Sequence, residues 1–190
     1  MSEQFKMIES QIREIYGGVI YTHKTHAKSA DLLKRKSDYI KILEIILSAV
    51  TTTSILAISF GNGYIFQFIG AFCATATLGL ALYSKDFNLL GIAESHKHTA
   101  LSLLEARNNL FSLLVDIKIG NVAIEDVQHR RDELNSELVK IYKSAPKTTN
   151  KAYQIASKAL KDKEEFTFTD EEIDKFLPEN LKRIVKNTNS

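Results

Sequence analysis

The hydrophobic pattern changes character in one stretch, because the chain carries no Asp, Glu, Lys, Arg or His between Ile45 and Ser84. Gly61-Asn62-Gly63 divides this apolar region into two halves. The first is counted from Ile42 to Phe60, with Glu44 near its start, and the second from Tyr64 to Tyr83. A hydrocarbon core about 30 Å thick is crossed by roughly 20 helical residues, so each half is long enough to cross once. The turn is too short to hold a domain. We therefore predict a two-pass transmembrane helical hairpin with antiparallel spans.

The alternative is a buried hairpin in a soluble helical bundle, and the polarity of the first half favours it. That half carries the hydroxyl residues Ser48, Thr51, Thr52, Thr53, Ser54 and Ser59. The length of the charge-free run argues against a soluble bundle, since a helix of such a bundle normally keeps a polar stripe towards water. In a membrane, hydroxyls bond to backbone carbonyls or to a neighbouring helix. We expect them to weaken the first span, which should insert better as part of a pair or an oligomer.

The regions on either side of the hairpin have helical periodicity. Phe5, Ile8, Ile12 and Ile15 predict a short amphipathic helix that Gly17-Gly18 loosens or ends. From about residue 18 the pattern predicts one helix that runs through the first span to Phe60. After the second span a helical stripe continues to Ile119, with Gly91 as its weak point and Gly120-Asn121 as a C-cap and turn.

Beyond Ile119 the sequence predicts shorter helices. One spans about Ile124 to Lys143 and ends at Ala145-Pro146, and the next begins at a cap on Thr148 or Thr149. The run from Thr169 to Glu172 has the form of a capping box, and Pro178 starts a further turn that buries Leu181 and Ile184. The alternating stretch 165–168 is too short to predict a strand.

These elements define an all-α fold in which the hairpin extends as a cytoplasmic helical stalk or bundle of coiled-coil type. We divide it into cytoplasmic N-terminal helices at 1–41, the transmembrane hairpin at 42–84 and a cytoplasmic helical region at 85–190. Basic residues flank the first span, Lys85 follows the second, and the connecting turn is uncharged. The positive-inside rule then predicts that both termini lie in the cytoplasm. The basic collar before the first span consists of Lys34, Arg35, Lys36 and Lys41.

The overall composition limits the possible functions. The formal net charge of +2 makes no case for direct nucleic-acid binding, and the polar N-terminus predicts no secretory signal peptide. The single cysteine, Cys73, excludes a disulfide or a zinc cluster within one chain. No phosphate-binding loop or catalytic motif is found. We therefore predict neither an enzyme nor a cofactor.

Four histidines lie at similar distances from the turn, and they are His23, His26, His96 and His98. A hairpin that folds about Asn62 places His26 and His98 at the same height, because both helices rise by about 1.5 Å per residue. Two interpretations are open: a shared metal or anion site, and polar packing of the stalk. We favour polar packing.

Two stripes within the spans suggest how the hairpin acts. Small residues of the second span predict close helix packing, either between copies of the chain or against the first span; they are Gly70, Ala74, Thr77 and Ala81, with Ser84 beyond them and Gln67 one turn earlier. A stripe of the first span predicts a pore lining in which Ile55 is an apolar gate, or else hydrogen bonds to the second span. This hydroxyl stripe consists of Ser48, Thr52, Ile55 and Ser59.

The basic collar also has two interpretations. By default it sets the topology and contacts anionic headgroups, each residue contributing about 1 kcal/mol near such a surface. The alternative is that a nucleotide or another anionic signal binds there.

Short motifs in a fixed order resemble the SLATT families, the SMODS and SLOG-associating two-transmembrane effector domains. Over residues 5–160 they are Tyr21-Thr22-His23-Lys24-Thr25-His26, Leu104-Glu105-Ala106-Arg107, Arg131-Asp132-Glu133-Leu134, Ile141-Tyr142-Lys143-Ser144-Ala145-Pro146 and Ala152-Tyr153. The resemblance implies a bacterial conflict effector without catalytic residues, which damages the inner membrane when infection is sensed. It also implies a nearby gene for a nucleotide-second-messenger synthase, a SLOG sensor or a reverse transcriptase.

Three functions follow in order of preference. The first is an anti-phage effector that forms a homo-oligomer in the bilayer of the bacterial inner membrane. A sensor protein or a nucleotide signal triggers this effector, which then opens a pore in the membrane or disrupts the membrane. The second is a passive anchor or adaptor that holds a partner protein at the cytoplasmic face. The third is a soluble helical interaction protein.

Overall fold

The computed structural model describes residues 3–61, 63–120, 122–162, 164–166, 168–178 and 182. These ranges contain six α-helices and the connections between them. None of the described residues is in a strand, so the predicted all-α fold is confirmed. The helices are α1 (Glu3–Ser59), α2 (Gly63–Phe87), α3 (Leu89–Ile119), α4 (Ile124–Ser144), α5 (Asn150–Lys161) and α6 (Asp170–Asp174).

Helix α1 runs without a break for 57 residues, through Gly17 and Gly18. Of the two effects predicted for the paired glycines, loosening or ending a short N-terminal helix, the second is therefore wrong. Ile12 and Val19, on either side of the pair, are buried in the core. Tertiary packing of this apolar face outweighs the low helix propensity of two glycines, which is about 1 kcal/mol each relative to alanine.

Helices α1 and α2 form the predicted hairpin. Gly61 turns the chain with φ 95°, a conformation that glycine adopts without steric cost, whereas Asn62 lies outside the described residues. Ser54 of α1 packs on Gly70 of α2, and a Cβ built on Gly70 would lie 3.1 Å from the Ser54 Cβ. Both helices contain a segment long and apolar enough to cross a membrane, and only 6% and 11% of these segments are buried within the chain. Core helices of a soluble protein would be mostly buried, so the two segments are candidate membrane spans.

The second helix of the hairpin is interrupted at Asn88, three residues before the predicted weak point. Asn88 is left-handed (φ 39°, ψ 49°), and its side-chain oxygen accepts a hydrogen bond from the Gly91 amide at 3.2 Å. A Cβ on Gly91 would collide with the Asn88 side-chain amide. The predicted helical stripe to Ile119 is therefore carried by two helices, and Gly91, its predicted weak point, provides the space for the cap that begins α3.

The far end of the stalk is a hydrophobic core shared by α1, α3 and α4. Its members are Ile8, Ile12, Val19, Leu103, Ala106, Leu110, Leu113, Ile117, Val127 and Leu138. Helix α5 packs on α1 through a face that contains Ala152, Ala156 and Ala159. The bundle therefore holds α1 and α3 together beyond the two candidate spans, as the predicted stalk requires.

The predicted helix ends agree with the structure where they can be compared. Gly120 is a left-handed C-cap with φ 81°, and Thr149 caps α5 through the Ala152 amide. Thr169 and Glu172 form a capping box at α6. The segment Ala145-Pro146 follows the end of α4. The predicted turn that buries Leu181 and Ile184 lies outside the described residues, as does Asn121.

We predict that Gly70→Leu destabilises the hairpin, because the new side chain must displace Ser54. Overpacking of this kind costs roughly 1–3 kcal/mol. The measurement is thermal unfolding in detergent, followed by a thiol-reactive dye that labels the buried Cys73 when the hairpin opens. Gly79→Leu is the matched control, since a Cβ on Gly79 of the same helix meets nothing within 4 Å. Equal unfolding temperatures for the two variants would contradict the Ser54–Gly70 contact.

Candidate functional site

The hydroxyl stripe of α1 faces away from α2. Ser48, Thr52, Ile55 and Ser59 are all exposed, whereas Ser54 is buried on α2. Thr52 donates its hydroxyl proton to the Ser48 carbonyl at 3.0 Å, and Ser59 donates to the Ile55 carbonyl at 3.3 Å. These hydroxyls therefore bond to their own helix. The hairpin leaves the stripe without a partner from α2 in the part of the chain that is described.

The small residues of α2 do not form one continuous contact surface. Gly70 is buried against α1, and Thr77 is half-buried and donates to the Cys73 carbonyl at 2.8 Å. Ala74 and Ala81 are exposed. The face that contains Gly70 thus seats the first span, while the two alanines remain open to lipid or to another chain. Association of copies through these alanines stays a prediction.

The basic collar surrounds α1 at the base of the first span, and all four of its residues are exposed. Lys36 donates a hydrogen bond to the Tyr83 hydroxyl at 2.7 Å, and its ammonium lies 5.1 Å from the centre of the same ring. This contact ties together the ends of the two spans that lie opposite the connecting turn. Lys34 and Arg35 line different cavities beside α1.

Three of the four histidines meet where the stalk helices pack. The His26 Nδ1 and His96 Nδ1 atoms are 2.9 Å apart, and the His23 Nδ1 lies 2.8 Å from the Ala100 carbonyl oxygen, to which it donates. His98 is exposed. His26 thus lies level with His96 rather than with His98, because the hairpin is centred nearer residue 61 than Asn62.

The histidine pair is held neutral by its surroundings. Burial is the main cause that lowers the pKa of His26 to about 4, and the charges of His96 and His23 act in the same direction. Burial also lowers the pKa of His96. For His23, burial lowers the pKa more than the hydrogen bond to Ala100 raises it. A hydrogen bond between two Nδ1 atoms needs one ring as donor and the other as acceptor, so it cannot survive protonation of both rings.

Within the described ranges, no group of three or more His, Cys, Asp and Glu residues is placed to hold a metal ion. His26 and His96 make a polar contact between the stalk helices. The choice between polar packing and a shared metal or anion site stays a prediction.

The segment after α5 folds back onto the stalk, an interaction that the sequence did not indicate. Glu165 forms ion pairs with Lys24 and Lys28, and the hydrogen bond from Lys24 is the main reason that the pKa of Glu165 is lowered. The Phe166 ring lies beneath Lys24 at 5.0 Å and beneath Arg107 at 4.9 Å. We call Glu165 and Phe166 the clamp. It joins the C-terminal region to α1 and α3 beside the histidines.

The fold and the site define a class, a helical membrane protein with two candidate spans that continue into a helical bundle. Residues 8–172 match the SMODS and SLOG-associating 2TM effector domain family 4. The chain belongs to this family, and it is therefore a membrane effector of conflict systems. The match confirms the resemblance and extends it to include the clamp. No curated protein and no solved structure matches the chain.

We predict that the stalk loses stability as the pH falls from about 6.5 towards about 4. A histidine whose pKa is lowered in the folded state binds its proton more readily in the unfolded state. The free energy of unfolding is therefore highest above the unfolded pKa and falls as the pH drops from the unfolded pKa to the folded pKa. For His26 the full loss is roughly 3 kcal/mol. The melting temperature of the helical circular dichroism should fall accordingly in neutral detergent.

The double variant His26→Leu/His96→Leu should flatten this pH dependence and leave the smaller part due to His23. His98→Leu is the matched control on α3 and should retain the parental slope, because His98 is exposed. An unchanged slope in the double variant would show that the pair does not titrate with unfolding.

Proposed function

We propose that this chain is a conflict-system effector that assembles in the bacterial inner membrane and permeabilises it when triggered. The observation that supports this most directly is the unpartnered hydroxyl stripe of α1. Ser54 is committed to α2 through Gly70, while Thr52 and Ile55 face outward. The hairpin thus uses one face of α1 for its own packing and leaves a polar face for other copies.

A polar face at membrane depth is stable where it meets protein or water. The bonds of Thr52 and Ser59 to their own carbonyls use the hydroxyl protons, but each oxygen keeps acceptor capacity that lipid cannot satisfy. Association of several chains through the stripe provides protein or water as a partner. Ile55 then forms an apolar ring within a polar path, a place where dewetting closes a pore.

The proposed topology places both termini in the cytoplasm. The basic collar and Lys85 lie at the same end of the hairpin, and the turn at the other end carries no charge, as the positive-inside rule requires. The stalk bundle, the histidine pair and the clamp then face the cytosol. We propose that a sensor protein or a nucleotide signal acts on this bundle, and that a nucleotide-second-messenger synthase or reverse transcriptase is encoded nearby. We propose no catalytic step and no direct contact with nucleic acid.

A second candidate function is a passive membrane anchor for a partner protein. One observation favours it: the hydroxyl protons of the described Thr residues in the first span are all satisfied within α1. A single hairpin is therefore tolerable in lipid without assembly. The anchor and the pore differ in whether the residues of the stripe affect membrane integrity.

The experiment is a dye-leakage assay on intact cells with variants of the stripe. We predict that Ile55→Ser makes the protein leaky and toxic without a trigger, because a hydroxyl replaces the apolar constriction. Ile46→Ser is the matched control, since Ile46 is 54% exposed against 59% for Ile55 but lies on the opposite side of the helix, nine residues or about 180° away. Thr52→Leu should block leakage, whereas Thr53→Leu should not.

Thr53 is a close control for Thr52, because it is also exposed and donates its hydroxyl to a carbonyl of α1 at 2.9 Å. Parental behaviour of both Ile55→Ser and Thr52→Leu would mean that the stripe lines no pore and would favour the anchor. Equal effects at paired positions would point to general weakening of the span instead.

A further inference from the structure

A cavity of about 580 Å³ lies beside α1 just below the first span. Four cationic residues line it: Arg35 and Lys36 of the collar, and Lys147 and Lys151 from the connection between α4 and α5 and the first turn of α5. No Asp or Glu is among its lining residues in the described part of the chain. Arg35 and Lys36 are close together in the sequence, but the fold brings the other two cations from over a hundred residues away.

The rest of the cavity wall is mainly apolar. It includes Leu33 and Ile40 of α1 and Ile92 of α3. Ile40 and the lining residue Tyr39 lie within one helical turn of Ile42, where the first span begins. In the proposed topology the cavity therefore opens at the level of the inner-leaflet headgroups.

A second cavity on the same pair of helices shows that this charge pattern is not a general property of the stalk. It measures about 540 Å³ and lies further from the span along α1, where its lining runs from His23 to Lys34. Its charged residues are balanced: Lys34 and Lys97 are accompanied by Asp31 and Glu94. Only the first of these two cavities has the charge to select an anion.

We propose that the cationic cavity binds an anionic phospholipid of the cytoplasmic leaflet, with the phosphate held by the four cations and an acyl chain along the apolar wall. The charge selects a phosphate-bearing ligand, and the apolar wall and the position at the membrane surface select a lipid over a soluble phosphate compound. Because Lys147 and Lys151 belong to the α4–α5 region, a bound lipid links this part of the bundle to the hairpin. The inference rests on the proposed insertion and topology.

The test uses tryptophan as a site-specific probe, because the chain contains no natural Trp. Ile92→Trp places the probe in the cationic cavity, and Leu90→Trp places it in the balanced one, two residues away on the same helix. The full chain is reconstituted in vesicles of nine parts phosphatidylcholine and one part phosphatidylglycerol with brominated acyl chains, which quench Trp on contact.

We expect stronger quenching in the Ile92→Trp variant than in the Leu90→Trp variant. When the bromine is moved to the phosphatidylcholine, the order should reverse, because bound phosphatidylglycerol then shields the Ile92→Trp probe. This exchange of labels cancels any difference in depth between the two probes. Equal quenching at both positions under both labels would overturn the proposal.

Charge variants identify the cations that bind the lipid. Lys147→Gln/Lys151→Gln should lower the affinity of the cavity for phosphatidylglycerol by about thirtyfold and so weaken the selective quenching of the Ile92→Trp probe. Lys34→Gln/Lys97→Gln removes the same charge from the balanced cavity and should leave the Ile92→Trp signal unchanged. Loss of selectivity in both double variants would show a diffuse surface potential, and loss in neither would exclude these lysines; either result overturns the assigned site.

Two further arms separate the alternatives. Adenosine monophosphate in the buffer should leave the quenching unchanged; if it relieves the quenching of the Ile92→Trp probe, the cavity takes a soluble phosphate and the lipid assignment is wrong. Flotation of the vesicles monitors insertion. A chain that does not float with them contradicts the proposed function and this inference together, whereas a chain that floats but shows no selectivity contradicts the inference alone.

Discussion

The structure depends on one constraint, the absence of any charged residue between Ile45 and Ser84. Such a segment is stable at membrane depth only if every backbone amide and carbonyl is bonded internally, and a helix satisfies this condition. Both spans are helical. Helix α1 continues beyond the apolar region into the stalk, whereas α3 takes over from α2 after the break at Asn88. A rigid hairpin of this kind fixes the register of α1 against α3, which is why His26 meets His96 some seventy residues later in the chain.

The rotation of α1 about its axis is set by the contact between Ser54 and Gly70. This contact lets the two spans approach closely, since glycine has no side chain to keep them apart. It also decides which hydroxyls the hairpin covers and which it leaves exposed. The unpartnered stripe is thus a consequence of how the hairpin packs, and the proposed assembly follows from the stability of polar groups in lipid.

Local signals in the sequence were sufficient for most of the fold. The charge-free run predicted the hairpin, and Thr149, Thr169 and Gly120 marked helix ends through capping chemistry that acts over a few residues. Gly17-Gly18 stays helical because distant contacts bury the surrounding face, which outweighs the local preference of glycine. The break at Asn88 is local, since a left-handed asparagine caps α3 through the Gly91 amide, but the sequence pointed only to Gly91 as a weak point. The clamp could not be foreseen, because Phe166 meets Arg107 and Lys24 only in the folded chain.

The central claim is that the hydroxyl stripe faces another copy of the chain, and disulfide cross-linking in native membranes tests it most directly. Cys73 is the only cysteine, so Cys73→Ala provides a background for single-cysteine variants. Oxidation should produce covalent dimers from Thr52→Cys, whose side chain lies in the stripe, and none from its neighbour Thr53→Cys. Dimers from Thr53→Cys alone, equal yields from both, or no dimers from either would contradict the account.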